Sequence, residues 1–270
     1  MQGLFAYFGL ILHHKQVWSW RPNFFITKMS LFSCISDGNF IHSFHMTSRF
    51  VANTWLLLIA LIWGIPTSSQ AAVAGDMLLD IVQHCVPTQT AGYCVTCRSP
   101  QLNQSCPGQT SCKATTEVWA ENEEFVAIRD IKMCGCPDGF VHGLVIPKRV
   151  ITGIEDDQRP DSIWQFAWDV ALQRMPLGEV ALAVNSKSKR TQNQLHIHLV
   201  RLKTSPLPKL EASVVGQTND LNQIWQLASV EAHKRHLNEY GILVIAAPEG
   251  GVLIAITNES PEGQFTQAFC

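Results

Sequence analysis

Charge is scarce in this chain, and neither sign is in excess. Of 270 residues, 16% are charged, where roughly 25% is usual for a soluble domain. Twenty Lys and Arg stand against 22 Asp and Glu, a formal charge of −2. Without a basic surface, dedicated nucleic-acid binding is excluded, and the near balance excludes an acidic disordered chain. Long uncharged apolar runs are also missing: no run of 18 recurs along the chain, so this is not a multi-span membrane protein. Carboxylates are absent between Glu179 and Glu211, which bears on the chemistry of that segment.

The N-terminus reads as a targeting segment. Within residues 46–74, Arg49 supplies a positive start and Trp55 to Ile65 an apolar core of about eleven residues. Pro66 ends it, and small residues around 70–74 offer cleavage sites, the pattern of a signal peptide. An uncleaved anchor is the alternative; either way the body lies outside the cytoplasm. Residues 1–45 hold Trp18, Trp20, Phe24, Phe25, Phe32, Phe40 and Phe44 with no helical or strand period. Since a signal peptide opens its protein, the simplest reading starts translation at Met46 and treats 1–45 as a non-native upstream extension. The remaining residues, 75–270, suffice for one globular domain and carry 16 basic and 21 acidic residues.

Eight of the nine cysteines fall in that domain. An even count in an exported chain predicts disulfides. Five lie between 85 and 112, in a Gln-, Ser-, Thr-, Pro- and Gly-rich stretch that reads as a stapled insert, 85–136, without a core of its own. A Cys85–Cys112 bond would pin both ends of its richest part, with Cys134 and Cys136 bonded to Cys94, Cys97 or Cys106. The rival is zinc, held by Cys94-x-x-Cys97 and Cys134-x-Cys136.

Hydrophobic periodicity orders the domain. Asp76–Cys85 is amphipathic and predicts a short helix. Glu124–Ile131 and Gly139–Ile146 predict strands, with Cys134–Asp138 turning between them. Asp161–Met175 predicts a helix capped by Asp161. Val180–Asn185 and Gln194–Leu202 predict strands, Leu221–Asn238 a long helix, and Tyr240–Ala247 and Val252–Thr257 two last strands turned at Glu249-Gly250-Gly251. Strand pairs alternating with helices predict an α+β fold: an antiparallel sheet with helices packed on one face.

The chemistry concentrates at 185–198. On a strand, His196 and His198 share one face while Leu195, Ile197 and Leu199 point to the core. Beside them stand Asn185, Gln192 and Asn193. A neutral imidazole can attack phosphorus and form a covalent intermediate, with amides binding the charge on the phosphoryl oxygens. A metal site is disfavoured, because no carboxylate or third histidine lies nearby in the sequence. His142, on the second strand, could approach the site, but reads first as a satisfied core histidine; Lys148 reads as structural.

His196-Ile-His198-Leu resembles the core of the histidine-triad motif. Asn185 fits the Asn of that family's preceding strand, eleven residues before the first histidine. Gly143-Leu-Val-Ile-Pro-Lys148, after Phe125-Val-Ala-Ile-Arg-Asp130, resembles its upstream strands. The third motif position is Val200, which points to a divergent branch. Ala183-Val-Asn185-Ser186, then Arg190-Thr191-Gln192-Asn193 running into His196-Ile-His198, is similar to the bacterial CDP-diacylglycerol pyrophosphatases. So are Ile163-Trp164 to Trp168 and Tyr240-Gly241. The resemblance spans about 76–258 in element order; the Cys-rich segment departs from it.

The resemblance implies a histidine-triad-like hydrolase that splits the diphosphate of CDP-diacylglycerol into CMP and phosphatidate, in phospholipid metabolism. His198, as the central position, would be the nucleophile. His196 would orient the phosphate, and Asn185, Arg190, Gln192 and Asn193 would bind substrate. No metal or cofactor is implied. The substrate would be met at the membrane surface, on the periplasmic side of the inner membrane, with no nucleic-acid partner and a homodimer as a compatible assembly. A two-chain lipid would place an apolar rim at the site, with Trp164 and Trp168 as candidates. Hydrolysis or transfer on soluble nucleotides is the alternative enzyme. A disulfide-rich envelope binding protein with inert histidines is the alternative from another class.

Overall fold

A computed structural model describes residues 75–204 and 208–270. The proposed signal segment 46–74 and upstream extension 1–45 lie outside the described residues. Eight strands form one antiparallel sheet: β1 (Val118–Glu121), β2 (Phe125–Arg129), β3 (His142–Pro147), β4 (Val180–Val184), β5 (Ile197–Arg201), β6 (Val214–Thr218), β7 (Gly241–Ala246) and β8 (Val252–Thr257). Their order is β1-β2-β3-β5-β4-β7-β8-β6. The helices are α1 (Met77–Asp80), running on into a π-helical turn at Ile81–Cys85, then α2 (Tyr93–Thr96), α3 (Ile163–Leu172), α4 (Pro208–Ser213), α5 (Ile224–Lys234) and α6 (Pro261–Phe265).

The six strands expected from the sequence form the middle of the sheet, and their residues are buried on both faces. β1 and β6, which the pattern did not reveal, are its two edges, and their side chains are mostly half-buried. The long helix expected over 221–238 is shorter. A 3-10 turn covers Leu221–Gln223, and α5 stops at Lys234. His236 adopts φ 55° there, Leu237 N–H donates to Ala232 O at 2.9 Å and His236 N–H to His233 O at 3.1 Å. This is the left-handed close that satisfies the last helical carbonyls.

The two long helices, α3 and α5, pack on one face, as the amphipathic pattern requires. Their side chains meet Leu182, Val184, Leu195, Ile197 and Leu199 in the largest core cluster. The opposite face carries two smaller clusters. Val126, Ile128, Leu144 and Ile146 meet the first helical segment and the Cys-rich loops. Ala181, Ala183, Val200, Leu243 and Ala255 meet Leu210 of α4 and Phe265 of α6. Trp164 and Trp168 belong to the large core, at 0% and 8% exposure, and Trp164 packs on Trp225 with ring centroids 4.7 Å apart. They are core residues on the face away from the histidines and form no rim.

All eight cysteines among the described residues are paired: Cys85–Cys97, Cys94–Cys106, Cys112–Cys134 and Cys136–Cys270. The expected Cys85–Cys112 bond is not made, nor are the expected partners of Cys134 and Cys136. The first two bonds each span 12 residues and close local loops. Cys97 and Cys106 are buried with Tyr93, so the disulfides themselves fill the small cluster. The paired sulfurs leave no thiolates for zinc among the described residues, and four disulfides are the cysteine usage of proteins folded in an oxidising compartment.

Candidate functional site

The site is built on β3 and β5. In the antiparallel register His142 lies opposite Val200, and His198 lies opposite both Leu144 of β3 and Ala183 of β4. Two-residue periodicity therefore sends His142, His196 and His198 to one face, where small Ala181 and Ala183 leave room beside them. All three rings are buried. The centroids of His196 and His198 are 4.8 Å apart, and those of His142 and His198 5.3 Å apart. His142 is thus a member of the cluster rather than an isolated core histidine.

Backbone carbonyls fix which nitrogens carry protons. His142 Nδ1 lies 3.2 Å from Ala268 O. A carbonyl only accepts, so a neutral His142 holds its proton on Nδ1 and offers Nε2 as an acceptor. That nitrogen is 3.1 Å from His198 Nδ1, which must donate. His198 Nε2 is then an acceptor, 3.5 Å from Asn185 Nδ2. His196 Nδ1 donates separately to Gln194 O at 2.8 Å. Its Nε2 therefore carries the lone pair, and no residue among those described hydrogen-bonds to it.

A carboxylate closes the far side. Glu262 of α6, 6% exposed, accepts from Asn185 Nδ2 at 2.9 Å and from Lys132 Nζ. Its Oε2 is 3.3 Å from His198 Nε2 and its Oε1 3.5 Å from His142 Nε2. Asp130 Oδ2 is 3.4 Å from His142 Nε2. Ser260 places α6: its Oγ accepts from Gly263 N–H at 3.1 Å and donates to Asn185 Oδ1 at 2.8 Å. Gly241 makes the approach possible, because a Cβ there would lie 2.5 Å from Pro261 Cδ.

Burial is the largest influence on all three imidazoles, and it holds each below the ordinary histidine value. His198 is held furthest down, because charge on His196, His142 and Lys132 adds to burial. For His142 the Asp130 and Glu262 carboxylates pull partly back up. The rings are therefore neutral near pH 7, the form a nucleophile needs. Stability follows with a definite sign. Below pH 6.5 an unfolded histidine binds a proton that the folded one refuses, so acidification favours unfolding. Urea denaturation is expected to show stability falling between pH 7 and pH 5, by up to about 1.4 kcal/mol per pH unit per ring. A profile flat over that range would contradict it.

The other expected site residues hold protein partners. Asn185 sits at the centre of the network. Arg190 is paired bidentately with Glu155, at 2.7 and 2.5 Å, and its side chain is 7% exposed. Asn193 binds the start of the domain, through its N–H to Gly75 O at 2.6 Å and its Nδ2 to Asp76 Oδ1 at 2.8 Å. Gln192 Oε1 accepts from Leu78 N–H at 3.2 Å. Gln194 was not singled out by sequence. It is 2% exposed and clamps the strand entrance through Pro147 O and Arg149 O, at 2.9 and 2.7 Å. Lys148 pairs with Glu121 at the surface, the structural place expected of it.

Asp130, His142 and His198 could each offer one ligand atom to a metal, all within 4.8 Å of one another. The fold thus brings a carboxylate and a further histidine to His198, although the stretch 180–210 around it holds no acid. What opposes a cation here is the Lys132 ammonium beside Glu262, together with the proton that His198 gives to His142.

A family model described as CDP-diacylglycerol pyrophosphatase matches residues 73–247. A CDP-diacylglycerol pyrophosphatase of Yersinia pestis is 33% identical over 100 residues, covering 33% of this chain and 37% of that protein's length. The family match takes in β1 to β7, the three clustered histidines and Asn185, and with it this chain belongs to the CDP-diacylglycerol pyrophosphatase family.

Proposed function

We propose that the protein hydrolyses the diphosphate of CDP-diacylglycerol to CMP and phosphatidate through a covalent nucleotidyl-histidine, without a cofactor. The observation that carries the reading is the Nδ1–H···O=C bond from His196 to Gln194, which aims a neutral Nε2 lone pair out of the hydrogen-bonded network. The nucleophile is accordingly His196 in this reading, an exchange with the role the motif suggested for His198, both of whose nitrogens have partners.

In the first displacement His196 Nε2 attacks the phosphorus of the CMP unit. The P–N bond forms, the P–O bond to phosphatidate breaks, and the electron pair leaves on the phosphatidate oxygen. The Nδ1 proton stays, shared with Gln194 O, and stabilises the cationic adduct. In the second, water attacks the same phosphorus. The P–N bond breaks, its electron pair returns to Nε2, and the water proton passes to His198 Nε2 and on to solvent. CMP departs and the rings return to their starting state.

A lipid leaving group needs an apolar surface beside the site. Ile131 and Phe269 are 50% and 76% exposed, each next in sequence to a residue of the network, Lys132 and Ala268. Lys132 Nζ lies 4.9 Å from the Phe269 ring. These two side chains are the rim in this reading, facing the periplasmic surface of the inner membrane. An Ile131→Ser/Phe269→Ser double variant is expected to lose about tenfold or more in rate on CDP-diacylglycerol in vesicles, since two apolar anchors are removed. It should keep its rate on a water-soluble short-chain analogue; equal loss on both would refute the rim.

The test of the activity is a substrate panel with the folded domain in excess EDTA. Equal yields of CMP and phosphatidate from CDP-diacylglycerol are expected, ahead of soluble nucleoside diphosphate esters. Activity lost in EDTA and restored by a divalent cation would overturn the metal-free route and turn Asp130, His142 and His198 into ligands.

A further inference from the structure

We infer that Glu262 is a positioning residue for the second displacement, the fixed carboxylate through which His198 takes up and releases the proton of the attacking water. This rests on the reading above. Glu262 lies fifteen residues beyond the last residue of the family match, and it is 64 residues from His198 in sequence.

In the resting network His198 Nε2 is an acceptor, and Glu262 Oε2 is an acceptor 3.3 Å away. Two lone pairs facing at that distance repel, and Asn185 Nδ2, donating to both, is what holds them together. A proton arriving on His198 Nε2 turns the repulsion into a charge-assisted hydrogen bond. The resting state is thus raised and the protonated state lowered by the same carboxylate, in a buried setting where such terms are large.

The carboxylate is divided between two tasks. Oε1 takes the Lys132 ammonium, and Oε2 is left to Asn185 and His198. The groups facing His198 are otherwise His142 on β3, His196 on β5, Asn185 after β4, and Lys132 with Asp130 in the loop after β2. Of the two carboxylates among them, Glu262 alone has an ion-pair distance to His198; Asp130 reaches His142. The mounting is rigid. Ser260 caps α6, Pro261 packs over Gly241, and the following chain is pinned by Gln267 N–H to Arg201 O at 2.8 Å and by the Cys136–Cys270 bond.

The test uses the folded domain with Glu262→Gln, Glu262→Asp and, to remove the unpaired ammonium as well, Lys132→Met/Glu262→Gln. Glu262→Gln should lower kcat about 10²-fold with KM falling in parallel, so that kcat/KM stays within about twofold of wild type. It should accumulate the cytidylyl adduct relative to wild type, because only the second step is slowed. Nitrogen-15 NMR of the His198 ring should show it gaining its proton at lower pH than in wild type. Glu262→Asp should recover part of the rate, and the double variant should behave as Glu262→Gln. Unchanged His198 titration and kcat within threefold of wild type, in either Gln variant, would overturn the inference while leaving the hydrolase reading intact. Absence of CMP release by wild type would instead remove the reading itself, and the inference with it.

Discussion

Replacing His196 by Ala is expected to abolish CMP release, with kcat falling about 10⁴-fold or more, the scale of removing a covalent nucleophile. No other ring can take its place. His198 Nε2 is turned towards Asn185 and Glu262, and His142 Nε2 takes the His198 proton. Replacing His198 by Ala is expected to be milder and different in kind. The first displacement survives, the second loses its base, and turnover falls by about 10²–10³ while the adduct builds up. Steady-state rates with a quenched measurement of bound cytidylyl group separate the two. If His198→Ala removes the adduct and His196→Ala retains it, the nucleophile is His198.

Opening the Cys136–Cys270 bond is the second large effect. It joins positions 134 residues apart, and closing a loop of that length contributes about 5 kcal/mol by the chain-entropy argument. A Cys136→Ala/Cys270→Ala variant should lose about 2–5 kcal/mol in urea denaturation. It should also lose activity below its melting point, because the same tail supplies Ala268 O to His142 and follows directly on Glu262. Opening Cys94–Cys106, which spans 12 residues, should cost less stability and leave the network untouched. Activity unaffected by the first change would show that the tail does not hold the site.

The sheet was legible where short apolar runs stand between turn residues. β4, β5, β7 and β8 read directly, and so did the shared face of His196 and His198, because strand periodicity is local. The edge strands β1 and β6 were not, since half-exposed residues leave the alternation incomplete. The disulfide pairing was not legible either: it depends on which loops the fold brings together, and Cys136 and Cys270 stand 134 residues apart in the chain. The same holds for the site. Its strand was found, but His142 was weighed as a core residue because nothing between it and His198 links β3 to β5 in register. Asp130 and Lys132 arrive from the segment after β2, and Glu262 from α6 near the end of the chain. One signal was available: Ser260-Pro261-Glu262 reads as a helix start that delivers a carboxylate, and Tyr240-Gly241 marks where it docks. Asn193 and Gln192, read as substrate binders from their place beside the histidines, are spent on the first helical segment. Proximity in sequence on a hairpin does not settle which way an amide turns.

The central claim is a cytidylyl group carried on His196. Intact mass analysis of His198→Ala, mixed with CDP-diacylglycerol in EDTA and quenched in alkaline denaturant, tests it most directly. A gain of one cytidylyl group is expected, mapped by peptide sequencing to His196 and absent from a His196→Ala/His198→Ala control. Release of CMP with no adduct at any time, or an adduct mapped elsewhere, would contradict it.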